Sequence, residues 1–73
     1  MRIVDLKRTR DDGPVLWEGK SDSGQEVLIR FRSGYLQIFL DGFVSHSCYY
    51  KFGSQLDDYT LRHILKNLWS IEI

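Results

Sequence analysis

The sequence predicts an α+β domain: an antiparallel β-meander sheet of four to five strands with one C-terminal α-helix packed on one face. Two observations predict it. Short runs rich in Val, Ile, Phe, Tyr and Trp alternate with turn clusters at Asp11-Asp12-Gly13-Pro14, Ser21-Asp22-Ser23-Gly24, Ser33-Gly34, Asp41-Gly42 and Gly53-Ser54. Towards the C-terminus the apolar period lengthens, with Leu61, Ile64, Leu65 and Leu68 spaced as one stripe of a helix. With 73 residues the chain reads as a single domain, 1–73, whose core is small.

The first strand is predicted over Arg2 to Lys7 and the second over Val15 to Lys20. Gln25 to Arg32 forms the third, with Val27, Ile29 and Phe31 on one face and Glu26, Arg30 and Arg32 on the other. Tyr35 to Leu40 alternates again as the fourth strand, and Phe43 to Phe52 is a long fifth segment. A two-residue loop at Ser33-Gly34 pairs Arg32 with Tyr35, so the Val27/Ile29/Phe31 face continues as Leu36 and Ile38. At the next turn a three-residue loop, Leu40-Asp41-Gly42, is preferred. It would pair Phe39 with Phe43 and turn Val44, His46, Cys48, Tyr50 and Phe52 inward, burying more apolar area than a two-residue loop.

The helix is expected to open with Ser54 as cap and Asp57 three residues on, and Asp57-Asp58 suits its positive N-terminus. His63, Lys66 and Asn67 fall off the apolar stripe and should face water. Trp69 to Ile73 returns to alternation, which predicts an extended tail. Trp17 and Trp69 read as core aromatics, because so short a chain needs large side chains at its centre.

Charge and composition exclude several classes. Ten Lys and Arg balance ten Asp and Glu, so no polybasic tail drives binding to nucleic acid. The hydrophobic share of 42% and charged share of 27% belong to a folded chain rather than a disordered one. No apolar run is long enough for a membrane helix, and Met1 to Asp5 carry no signal-peptide pattern. A single cysteine, Cys48, precludes an internal disulfide and suits a reducing, cytoplasmic location.

No constellation predicts catalysis or a cofactor. Ser45-His46-Ser47-Cys48 holds hydroxyls, an imidazole and a thiol, but in a strand they alternate between faces and no third group orients the base. His46, Cys48, His63 and Asp57 lack the spacings of a structural metal site, and no phosphate-binding glycine motif occurs. Asp11-Asp12 and Asp57-Asp58 sit where carboxylates serve turns and helix starts.

The predicted outer face is more informative. One helix covers one side of the sheet, and the other side then carries Leu28, Arg30, Arg32, Tyr35, Gln37, Phe39, Phe43, Tyr49 and Lys51. Aromatic and basic residues dominate it, and these types build interface hot spots. The basic arm Lys7-Arg8-Thr9-Arg10 is a second candidate surface, set against the acidic segment that runs from Asp11 to Glu26. Three function classes follow: a non-enzymatic module that docks on a larger protein, a single-strand nucleic-acid binder, and a structural homodimer. The first is preferred. In the second, bases would stack on Tyr35, Phe39, Phe43 or Tyr49 while Arg30, Arg32 and Lys51 meet phosphates. The meander-then-helix layout resembles the dimeric single-strand-binding domain of positive-cofactor-type transcriptional coactivators, although those domains are basic and this chain is neutral. In size, neutrality and open aromatic face, the chain is also similar to the small inhibitors of phages and mobile elements, anti-CRISPR proteins among them.

Overall fold

The computed structural model describes residues 1–49 and 56–73. Five strands, β1 (Ile3–Arg10), β2 (Val15–Ser21), β3 (Glu26–Arg32), β4 (Tyr35–Leu40) and β5 (Phe43–Tyr49), precede one helix, α1 (Asp58–Trp69). The strands form one antiparallel sheet in the order β1-β2-β3-β4-β5, the meander that the turn spacing predicts.

Val15, Trp17, Val27, Ile29, Phe31, Leu36 and Ile38 point to the same side of the sheet and are buried against Leu61, Ile64 and Leu65 of α1. Leu68 departs from the predicted stripe and is 45% exposed. The last turn of the helix meets the sheet through Trp69, which packs half-buried against the core with its ring 4.9 Å from that of His46. His63, Lys66 and Asn67 are exposed, as their positions off the stripe predict.

Hairpin turns set the register. Ser33 and Gly34 have φ of 50° and 86°, the left-handed pair that a two-residue hairpin loop requires, and Arg32 pairs with Tyr35 as predicted. The three-residue loop expected at Leu40-Asp41-Gly42 is corrected. Asp41 and Gly42 alone form the turn, with φ of 49° and 85°, and Leu40 pairs with Phe43. Asp tolerates the left-handed region better than most residues, and its carboxylate accepts the Glu26 N–H at 3.0 Å. A bulge at Ser45 then restores the parity: Phe39 pairs with Val44, but Ile38 pairs with His46 and Leu36 with Cys48. His46 and Cys48 therefore face the helix side as expected, whereas Val44 turns outward and is 54% exposed. Burial pushes the Cys48 thiol above its ordinary pKa. Tyr50, Phe52 and Ser54 lie outside the described residues.

β1 runs three residues beyond its predicted end, to Arg10, and carries two irregularities. Val4 pairs with Lys20 and Lys7 with Glu18, so Asp5 and Leu6 together face Gly19. Asp5 takes a left-handed φ of 54°. A Cβ on Gly19 would lie 2.9 Å from the Val4 carbonyl oxygen and 3.1 Å from the Leu6 Cα, so only glycine fits there. The second irregularity lies between Arg8, opposite Trp17, and Arg10, opposite Leu16.

Asp57 caps the helix itself, its carboxylate accepting the Thr60 N–H at 2.7 Å, which displaces the predicted cap from Ser54. At the other end Ser70 turns left-handed, and the N–H groups of Ser70 and Ile71 bond the Lys66 and Leu65 carbonyls. The tail is extended only beyond Ser70; Trp69, predicted as its start, is the last residue of the helix. Ile71 is buried, and Glu72 bridges in parallel to Arg2 through two backbone hydrogen bonds of 2.7 and 3.1 Å.

Leu65→Ala should cost about 2–5 kcal/mol because it empties a fully buried site. Leu68→Ala should cost well under about 1 kcal/mol, and urea unfolding of the pair checks the exposure difference. Gly19→Ala should unfold at lower urea than the parent, because its methyl meets β1 backbone rather than a movable side chain.

Candidate binding surface

The outer face is organised in rows that cross the sheet. One row runs Lys7, Glu18, Leu28, Phe39, Val44, and the next runs Arg10, Leu16, Arg30, Gln37, Ser47. A third joins Arg32, Tyr35 and Tyr49 at the β3–β4 end. Among the described residues the only helix lies against the opposite face, so these rows have no covering layer.

The structure brings together the core of the predicted site. Arg30, Arg32 and Tyr35 line a groove of about 320 Å³ with Ser33 and Gln37. Tyr49 stands opposite Tyr35, their rings edge to face at 5.0 Å, a geometry aromatic pairs favour. Both tyrosines are more than half exposed. Neither arginine has an ion-pair partner among the described residues. Phe39 lies one row away beside Leu28, both half-buried, in a hollow of about 520 Å³ rimmed by Glu18, Lys20 and Glu26.

Phe43 does not join them. Opposite Leu40, it lies on the helix side of the sheet at the β5 edge and is 79% exposed there. Its predicted place on the outer face required the longer loop, and Val44 holds that place instead. Lys51 lies outside the described residues.

The basic arm is divided by the β1 irregularities. Lys7 stands on the outer face opposite Glu18. Arg10 pairs with the neighbouring turn, its Nε 3.3 Å from the Asp12 carboxylate. Arg8 is carried to the helix side, where its guanidinium stacks 5.3 Å from the Trp17 ring centre. Arg8 Nε also lies 3.3 Å from Asp58 Oδ1, and the guanidinium donates to the Leu56 carbonyl. The same Asp58 oxygen accepts the Trp17 indole N–H at 2.8 Å. Arg8 therefore binds this chain's own helix. Sequence reading missed the Arg8–Trp17–Asp58 cluster, although Gly19 within an otherwise bulky strand was the available signal of a bulge.

Elsewhere the chemistry is sparse. Ser45 Oγ lies 2.9 Å from His46 Nδ1 on the β5 edge strand. Among the described residues no three His, Cys, Asp or Glu side chains gather as a metal site, and no helix is long and apolar enough to cross a membrane. No family model, curated protein or solved structure matches the chain.

Hydrogen bonds from the Thr60 side chain and backbone, and then the Arg8 charge, hold the Asp57 carboxyl below its ordinary pKa. A depressed carboxyl stabilises the fold above its unfolded pKa, and that contribution is lost as pH falls through the folded value. Asp57→Ala should therefore melt below the parent at pH 7, and the gap should close as the parent is acidified below about pH 4. Asp58→Ala removes the acceptor of the Trp17 N–H and should cost about 1–3 kcal/mol, whereas Asp58→Asn, which keeps an acceptor, should cost less. Thermal melts of the two variants separate the hydrogen bond from the charge.

Proposed function

We propose that the chain is a small non-enzymatic module that docks on an acidic surface of a larger protein through its uncovered sheet face. One observation carries the reading: Arg30 and Arg32, free of ion pairs among the described residues, flank an open groove walled by Tyr35. Arginine and tyrosine give hot spots because each combines apolar contact area with directed hydrogen bonds. Unsatisfied cations on an open face select carboxylates, and the groove offers flat guanidinium planes for bidentate pairing. Net neutrality suits a protein partner better than a polyanion, whose binding scales with the phosphates neutralised. An inhibitor of the phage or mobile-element type, anti-CRISPR proteins included, would use such a module by covering a functional surface of its target.

The test is capture from a cell lysate by the parent chain and by Arg30→Glu/Arg32→Glu, with and without nuclease. A nuclease-resistant protein should be retained by the parent and lost by the variant, while both melt alike. Each arginine should contribute about 2 kcal/mol or more, roughly 30-fold in affinity. Submicromolar single-strand binding that falls steeply with salt and vanishes in the variant would replace this reading with the nucleic-acid one.

A further inference from the structure

The face that presents the arginines also presents an apolar hollow, and the two lie in step along one strand. Leu28, Arg30 and Arg32 are successive outward residues of β3, so their side chains emerge about 6.6 Å apart. Beside Leu28, across the β3–β4 pair, Phe39 completes the floor of the hollow. Its volume of about 520 Å³ lies within the usual range for ligand pockets and is ample for one large apolar side chain. Glu18 and Glu26 outnumber Lys20 on its rim and oppose a carboxylate there, whereas Arg30 and Arg32 attract one at the other end.

On this basis, and resting on the protein-binding reading above, we infer that the partner contributes an extended segment lying along β3. It carries an apolar side chain and two carboxylates at alternate positions, the apolar group in the Leu28/Phe39 hollow and the carboxylates on Arg30 and Arg32. An extended chain repeats its side chains on one face at the same interval as β3, so all three contacts form together. A helix advances about 6.0 Å in four residues and falls behind by more than 1 Å across the three contacts.

The experiment titrates isotope-labelled protein with capped synthetic peptides and follows backbone amide shifts by NMR. Phe-Ser-Glu-Ser-Glu and its reversal, Glu-Ser-Glu-Ser-Phe, cover both chain directions. Glu-Glu-Phe-Ser-Ser has the same composition without the spacing. One alternating peptide should bind about tenfold tighter than the contiguous one, moving amides of β3 and β4. Replacing its Phe by Ala should remove most of that gain, as should Phe39→Ser in the protein. The peptide change needs no altered protein, so it decides the matter even if Phe39→Ser folds poorly. Equal binding of all the peptides, no binding by any, or shifts confined to other strands would overturn the inference. If peptides bind through their glutamates alone, with no effect of the Phe or its spacing, the hollow has no role and the arginine reading stands. Capture of a partner that is insensitive to Arg30→Glu/Arg32→Glu would instead remove the reading itself.

Discussion

A buried indole N–H must find an acceptor, and in this chain that requirement places the helix. Trp17 is 1% exposed at the centre of the sheet, and its Nε1–H reaches Asp58 in the first turn of α1 at 2.8 Å. An unmet bond at such a site costs about as much as a sizeable part of a small domain's stability. Arg8 closes the same corner by stacking on Trp17 and reaching Asp58 and the Leu56 carbonyl. The ion pair is partly solvated, with side chains 31% and 71% exposed, and by itself contributes little. Its value is positional. With Asp57 capping the first turn and Asp58 joined to the sheet, the helix starts where Leu61, Ile64 and Leu65 fall onto Ile29, Phe31, Leu36 and Ile38.

Local irregularities then decide which charges stand on the uncovered face. Side-chain direction in a strand has period two, so each extra residue exchanges the faces. In β1 the pair Asp5-Leu6 opposite Gly19, and the step between Arg8 and Arg10, leave Lys7 outside, bring Arg8 inside and return Arg10 outside. The basic run Lys7-Arg8-Thr9-Arg10 looks like one patch in the sequence and is divided between the two faces of the sheet in the fold. Arg30 and Arg32 sit on a regular stretch of β3, keep their alternation and stay together.

This explains what was legible in the sequence. Strand order, the helix, the Ser33-Gly34 register and the buried set from Val27 to Ile38 follow from alternation and turn chemistry, which act over a few residues. The Arg30/Arg32/Tyr35 cluster was legible for the same reason. Phe43 was misplaced because preferring buried area outweighed the plainer signal of Asp41-Gly42, a pair suited to a two-residue left-handed turn. The bulge at Ser45 then concealed the error by returning His46 and Cys48 to the helix side. Arg8's role was not legible. It depends on the bulged β1, whose one local trace in the sequence is Gly19, and on a contact with Asp58, fifty positions away, which no local pattern encodes.

Zero net charge and the proposed basic binding face are compatible because the charge is sorted by local structure. Four of the ten acidic residues are committed to turns and to the helix start: Asp12 to Arg10, Asp41 to the Glu26 N–H, Asp57 to the Thr60 N–H and Asp58 to Trp17 and Arg8. Those roles satisfy backbone and indole donors that the fold itself creates, so they are fixed before any partner arrives. Arg30 and Arg32 have no such duty among the described residues, and the strand holds both on the uncovered side. The regular strand backbone fixes where the two cations emerge beside the Tyr35–Tyr49 pair, which would spare a partner the cost of ordering that backbone. On the proposed reading such a face would discriminate by geometry and local charge, with the overall balance disfavouring adhesion to polyanions at large.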